Sequence, residues 1–308
     1  MDIELQRKQR EEEYVGMGRK KKQFWESVLY TIPAIILVTI TIYIPFVMSS
    51  YYSLTEWNGI AKEPVFIGLD NFKKVFSGSS EFIKSLIFTG KYTILFMIFS
   101  NVLALAIAVA LVQKIRFANL MRGMFFVPYI MSMIIVGFIW KFIFSQGFEV
   151  LFEMTGWGFL NWSWLGESNL AFVAIVMVGV WQSLGFYIVL YIAGLQAVPT
   201  DVLEAATVDG ATSWKRFFKV TLPLLGPSIT TCVFMSLTNA LKVFDIILAL
   251  TKGGPGGSTY SATLDIYREA FQNNNYGLGS AKSLVFFVIV LVLTQLAMKI
   301  MKSREVDL

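Results

Sequence analysis

This chain of 308 residues contains no histidine. That removes at once the commonest general base and the commonest metal ligand. Cysteine occurs once, as Cys232 inside an apolar stretch, so neither an intrachain disulfide framework nor a thiolate metal site is available. Charge is scarce: 15% of residues are Asp, Glu, Lys or Arg, where a soluble domain has about a quarter. Acidic residues cluster only at Glu11-Glu12-Glu13, which reads as a solvated terminus. No repeat with a period of about 20–50 residues is found. A secretory signal peptide is not expected, because the first apolar run starts late, is too long and lacks a small-residue cleavage site.

What the chain does have is apolar length. Hydrophobic residues make up 56% of it, with a mean hydropathy of +0.62. Six segments can each cross about 30 Å of hydrocarbon at a rise of about 1.5 Å per residue. They run over about 27–50, 90–112, 119–144, 169–197, 222–250 and 283–301. The expected fold class is therefore all-α, a polytopic membrane protein of six transmembrane helices. Pro33, Pro45 and Pro128 lie within or near spans, where proline is better tolerated than in soluble helices. Arg122 and Gly123 weaken the start of the third span.

Lys and Arg placement sets the orientation. Sixteen lie on the side of the amino-terminal tail, including the run Arg19-Lys20-Lys21-Lys22, and nine on the opposite side. Both termini and the 198–221 loop are accordingly expected in the cytoplasm. The external segments are longer and rich in aromatics, with Trp57, Phe66 and Phe72 in 51–89 and Trp157, Trp162 and Trp164 in 145–168. These tryptophans suit chiefly an interfacial belt; the lesser alternative is an entry where the apolar face of a ring stacks on indole. The run Gly253-Gly254-Pro255-Gly256-Gly257 is a turn signal. It lacks the Lys-Ser/Thr of a phosphate cradle.

The organising stretch is Glu204–Pro223, EAATVDGATSWKRFFKVTLP, polar and charged between two apolar spans. Asp201 and Glu204 fit a capping-box helix start just after Pro199, with Thr200 or Asp201 as the cap. Gly210 suits a helix end or a sharp bend. A second helix can start at Thr212 or Ser213, placing Trp214, Phe217 and Phe218 on one face. Pro223 then fits the first turn of the next span. From the residues alone, an interfacial amphipathic helix and a docking element are both open.

Polar groups inside spans are costly and are functional candidates by default. The fifth span carries Ser236, Asn239, Lys242 and Asp245 in steps of three, a slanted stripe. The fourth carries Trp181, Gln182, Ser183 and Tyr187, and the second Ser100 and Asn101. Gln182, Tyr187, Ser236, Asn239, Lys242 and Asp245 are candidates to hydrogen-bond a hydroxylated substrate in a central cavity. The competing structural roles are a snorkelling Lys242 paired with Asp245, and Asn101 and Gln182 bonding between helices.

The order and spacing of Glu204-Ala205-Ala206, Gly210 and Leu222-Pro223 resemble the cytoplasmic EAA loop of binding-protein-dependent ABC importer permeases. FDIILALTKGGPGGST (244–259) is similar to the signature ending span five in the carbohydrate branch of that group, which contains maltose and glycerol-3-phosphate permeases. WQSLGFYIVLYIAGLQAVPTDVLEAATVDGA (181–211) and FFVPYIMSMIIVGFIWKFIF (125–144) also resemble it. Together these cover most of residues 90–300.

The resemblance implies a type I importer fold: a permease domain at 27–301 between cytoplasmic tails 1–26 and 302–308, with a coupling loop at 199–221. It implies that Glu204, Ala205, Ala206, Gly210 and Pro223 form the ATPase-coupling element. It further implies a second homologous permease, two cytoplasmic ABC ATPase subunits and an extracellular solute-binding protein that delivers a sugar or oligosaccharide. All would work at the plasma (inner) membrane of a bacterium, in contact with lipid and not with nucleic acid. No cofactor or metal is expected on this chain. ATP and Mg belong to the ATPase partners, because the chain has no Walker A motif, so it is not itself an enzyme. An ion-gradient-driven secondary transporter is the alternative, expected to show acidic residues central in its spans or broken-helix repeats. A membrane hydrolase ranks last for want of a base–nucleophile–metal set.

Overall fold

The computed structural model describes residues 25–77, 81–113 and 116–303. The charged amino-terminal tail and the last five residues lie outside the described residues, and with them most of the two tail assignments. Among the described residues the regular secondary structure is helical apart from one two-stranded antiparallel ribbon, β1 (Thr55–Glu56) with β2 (Val65–Phe66).

Helix α1 (Trp25–Tyr52) is the first span. Pro45 has no N–H to give to the ladder, and the helix widens into a π turn at Thr39–Tyr43 just before it. The most apolar window of α1 buries nothing against the rest of the chain. The ribbon and α2 (Asp70–Val75) follow. Buried Asn71 holds them together by donating to the carbonyls of Ser53 (3.0 Å) and Thr55 (2.8 Å). Helix α3 (Glu81–Val112) is the second span, beginning well before the apolar run alone suggested.

The third segment departs from expectation. The apolar run over 119–144 reads as one helix, yet it forms α4 (Ala118–Ile130) and then α5, which starts at Met133 and runs on to Thr155. Met131 and Ser132 between them are extended, with ψ of 143° and 131°. Pro128 has already removed one donor from the ladder of α4. The carbonyls of Tyr129 and Met131 then accept from Gln182 Nε2 at 3.4 and 3.3 Å. A broken backbone persists in a membrane only where such partners exist.

Helix α6 (Ser168–Ala197) matches the fourth expected span. Two short helices follow, α7 (Thr200–Val208) and α8 (Ser213–Leu224). The fifth span is shorter than the 222–250 expected. It is α9 (Gly226–Leu241), set at 68° to α8. The chain unwinds at Lys242–Phe244 and restarts as α10 (Asp245–Leu250). After the Gly-rich turn come α11 (Ala262–Tyr267), extended by a π turn at Arg268–Gln272, and the last span α12 (Tyr276–Lys302).

The core lies between α3 and α6. Tyr92, Phe96, Ala104 and Ala108 on α3 are buried with Ile175, Val178, Tyr187, Ile188 and Tyr191 on α6. Gly185 lets α4 approach α6: a Cβ there would collide with the backbone carbonyl of Phe125.

Candidate functional site

Helices α7 and α8 form an angled pair at the end of the bundle where α6 stops and α9 begins. Helix α7 starts at Thr200 with Pro199 as its N-cap, and no side chain caps it. The expected capping box is therefore not formed. Pro199 sits where an N–H would be an orphan in any case. The other end is closed as the sequence pattern anticipated. Gly210 has φ of +76°. Its N–H donates to Thr207 O (3.0 Å), and that of Ala211 donates to Ala206 O (3.0 Å), the paired bonds of a Schellman turn. Thr212 caps α8, its hydroxyl accepting from Lys215 N at 3.4 Å. Arg216 Nη1 reaches back to Thr207 Oγ1 at 2.7 Å, fixing the angle of the pair.

Glu204 and Ala205 are exposed and Ala206 is half-buried, and Val202 and Val208 of the same helix are also exposed. Trp214 packs on Phe218 at 4.5 Å, and Phe218 packs edge-on against Phe217. Pro223 is exposed in the last turn of α8, not in the first turn of the next span as expected. The first turn of α9 holds Pro227 instead. A proline ring clashes with the carbonyl four residues earlier, which here belongs to Pro223 itself, and the chain bends between them.

The polar candidates of the spans separate into two groups. Ser236 is buried and accepts from Asn101 Nδ2 at 2.9 Å, while Asn101 Oδ1 accepts from Tyr191 Oη at 2.7 Å. This three-helix network ties α3, α6 and α9 together. Gln182 is buried on the carbonyls of the α4–α5 break. Tyr187 is buried, its hydroxyl without a hydrogen-bond partner in bonding geometry and with Asn239 as a polar neighbour. Asn239, Lys242 and Asp245, by contrast, are exposed, Asn239 in the last turn of α9 and the other two beyond it. The stripe does not continue as one helix, because Lys242 is the C-cap of α9 and Asp245 opens α10. No ion pair joins Lys242 to Asp245 among the described residues.

The unwound turn between them is braced from outside the spans. Val243 O accepts from Ser261 Oγ at 2.7 Å and from Thr263 Oγ1 at 2.5 Å. Sequence reasoning missed these two residues, and it also missed a buried charge cluster. Lys282 Nζ bonds Asp265 Oδ2 at 2.9 Å and Glu269 Oε2 at 2.8 Å. Burial pushes the Asp265 carboxyl above the usual carboxylate range, and the Lys282 ammonium works against that shift. The signal was the i, i+4 pair Asp265 and Glu269 in a helix-like segment, with a lysine at the start of the next span.

Comparison with known proteins bears on the whole chain. The model of the family described as "Binding-protein-dependent transport system inner membrane component" matches residues 100–304. A "Probable starch degradation products transport system permease protein" of Thermoanaerobacterium thermosulfurigenes is 38% identical, over 95% of this chain and 100% of its own length. A "Multiple sugar-binding transport system permease protein" of Streptococcus mutans is 36% identical, over 92% of this chain and 97% of its own. A chain from the crystal structure of a bacterial ABC transporter importing alginate superimposes with a TM-score of 0.79 at 22% identity. That superposition covers 93% of this chain and 98% of the other, and it shows a shared fold. By that family match and those relatives, the chain belongs to the family of binding-protein-dependent transport system inner membrane components.

Proposed function

We propose that this chain is one transmembrane half of an ATP-driven, binding-protein-dependent importer for a sugar or oligosaccharide. It couples to cytoplasmic ATPase subunits through α7 and α8. The observation that carries this reading is the shape of the helix pair. An exposed, alanine-faced helix is held at a fixed angle by the Gly210 turn and the Arg216–Thr207 bond, and a 68° bend joins the pair to a span. A rigid lever of that kind transmits a push from a docked partner into α9, as rigid-body rocking between two states. The names of the relatives support the sugar class.

In this reading a second permease completes the pathway. ATP and Mg are bound on the ATPase partners, a solute-binding protein delivers the cargo outside, and the termini and the helix pair lie in the cytoplasm. Asn239, Lys242 and Asp245 form the part of the pathway that this chain contributes, with Tyr187 behind them.

The test uses the assembled transporter. Glu204→Lys and Ala206→Leu are expected to abolish uptake with membrane insertion intact, since no span is altered. The ATPase subunits should be lost on purification, or else kept with hydrolysis no longer stimulated by the loaded binding protein. Normal co-purification together with normal stimulated hydrolysis in both variants sinks the coupling role.

A further inference from the structure

Lys282 is 5% exposed and Asp265 3%, and the cluster they form with Glu269 holds two carboxylates to one ammonium. Such a cluster is a poor stability device, because apolar side chains of similar volume often do as well or better. What it does supply is position. Lys282 belongs to α12, while Asp265 and Glu269 belong to α11 and its π turn. Phe82 of α3 lies under the ammonium, its ring centre 5.9 Å from Nζ. At the rim, Arg268 pairs with Glu81 of α3 at 3.3 Å and lies over the Tyr260 ring. Asn275 Nδ2 donates to Glu269 Oε1 at 3.2 Å, and Ala262 N donates to Thr89 Oγ1 of α3 at 2.9 Å. The amino-terminal end of the α11 helix held in this way carries Ser261, its N-cap, and Thr263, whose hydroxyls grip Val243 O in the unwound turn.

We infer that Lys282 is a positioning residue for the translocation pathway: by clamping α11 to α12 it fixes the Lys242–Phe244 turn, and with it the placing of Lys242 and Asp245. The chain of contacts is continuous, from Lys282 to Asp265, along one turn of α11 to Ser261 and Thr263, and from there to Val243. The part of the inference concerning transport rests on the pathway reading above. The part concerning the turn does not.

The experiment uses the assembled transporter in lipid, with Cys232 replaced by Ala. A reporter thiol is placed at Val243, which is 7% exposed and so reacts slowly with a water-soluble maleimide. Two further chains are compared with this parent. One carries Asp265→Asn, Glu269→Gln and Lys282→Met together, which removes every charge and so buries no unpaired one. The other carries Lys282→Arg, which keeps the charge and the paired donors.

Per mole of assembled complex, the neutral triple variant is expected to label at position 243 several-fold faster and to transport about two- to thirtyfold more slowly, the span of couplings carried through packed networks. Lys282→Arg should stay near the parent in both. Unchanged labelling in the triple variant overturns the inference, as does a loss confined to the yield of assembled complex. Faster labelling with parental transport supports the clamp and instead overturns the pathway reading on which the transport effect depends.

Discussion

Gln182 and Asn239 entered as equal candidates for substrate contact, and their surroundings now predict different behaviour. Gln182 spends its amide on the carbonyls of Tyr129 and Met131. Gln182→Leu leaves those part-buried carbonyls without that donor, at a cost of about 1 kcal/mol. The purified chain should melt at a lower temperature, and any fall in uptake should track that instability. Asn239 is exposed and braces no break. Asn239→Ala should keep the parental melting temperature and lower the transport rate per assembled complex. Equal melting temperatures with equal transport losses in the two variants would contradict this division. Asn101 shows the same logic from the structural side, since its bonds to Ser236 and Tyr191 join three spans. Each such interhelical bond is worth about 0.6–2 kcal/mol in a membrane.

At the scale of the element, the turn after α7 offers a clean test of backbone geometry. A Cβ on Gly210 would meet nothing within 4 Å, so a substitution there acts through the φ of +76° alone. Gly210→Val should cost about 1–2 kcal/mol locally, the left-handed penalty, and loosen the angle between α7 and α8 without disturbing a span. The expected readout is faster proteolytic cleavage near residues 209–212 in the isolated chain, together with weaker ATPase retention. Parental cleavage rates would show that the turn tolerates a side chain. This turn was legible in the sequence because glycine advertises it, and α6 was legible because neither a charged residue nor a proline interrupts Ser168 to Ala197. The two helix breaks were not. Neither Met131-Ser132 nor Lys242-Val243-Phe244 contains a glycine or proline, and each is stabilised by groups distant in sequence: Gln182 for the first, Ser261 and Thr263 for the second. An apolar window reports that a segment suits the membrane and says nothing of the hydrogen bonds that let its backbone part. The shift of the α8–α9 bend past Pro223 has a nearer cause: Pro227 was there to be read, four residues on.

Across the whole molecule, the arrangement makes sense only if its two ends face different compartments. The aromatic segment between α5 and α6 and the Gly-rich turn before α11 lie at one end, and α7 with α8 lies at the other. In the sequence, sixteen Lys and Arg fall on the side assigned to Ser213 and nine on the other, and we propose from that excess that the helix pair faces the cytoplasm. Ser168, Ser258 and Ser213 are all exposed at these ends, so a thiol placed at any of them meets water in the single chain. In intact cells, with Cys232 replaced by Ala, Ser168→Cys and Ser258→Cys should react with a membrane-impermeant maleimide. Ser213→Cys should react only after the membrane is opened. The crossing number is tested by the same three sites. From Ser168 the chain crosses once through α6 to reach Ser213, and crosses back through α9 to reach Ser258, so Ser168 and Ser258 must agree with each other and disagree with Ser213. Outside labelling at Ser213 would invert the orientation and remove the helix pair from any cytoplasmic ATPase. Opposite behaviour of Ser168 and Ser258 would mean that α9 with its bend does not complete a span, leaving the chain with an odd number of crossings between those sites.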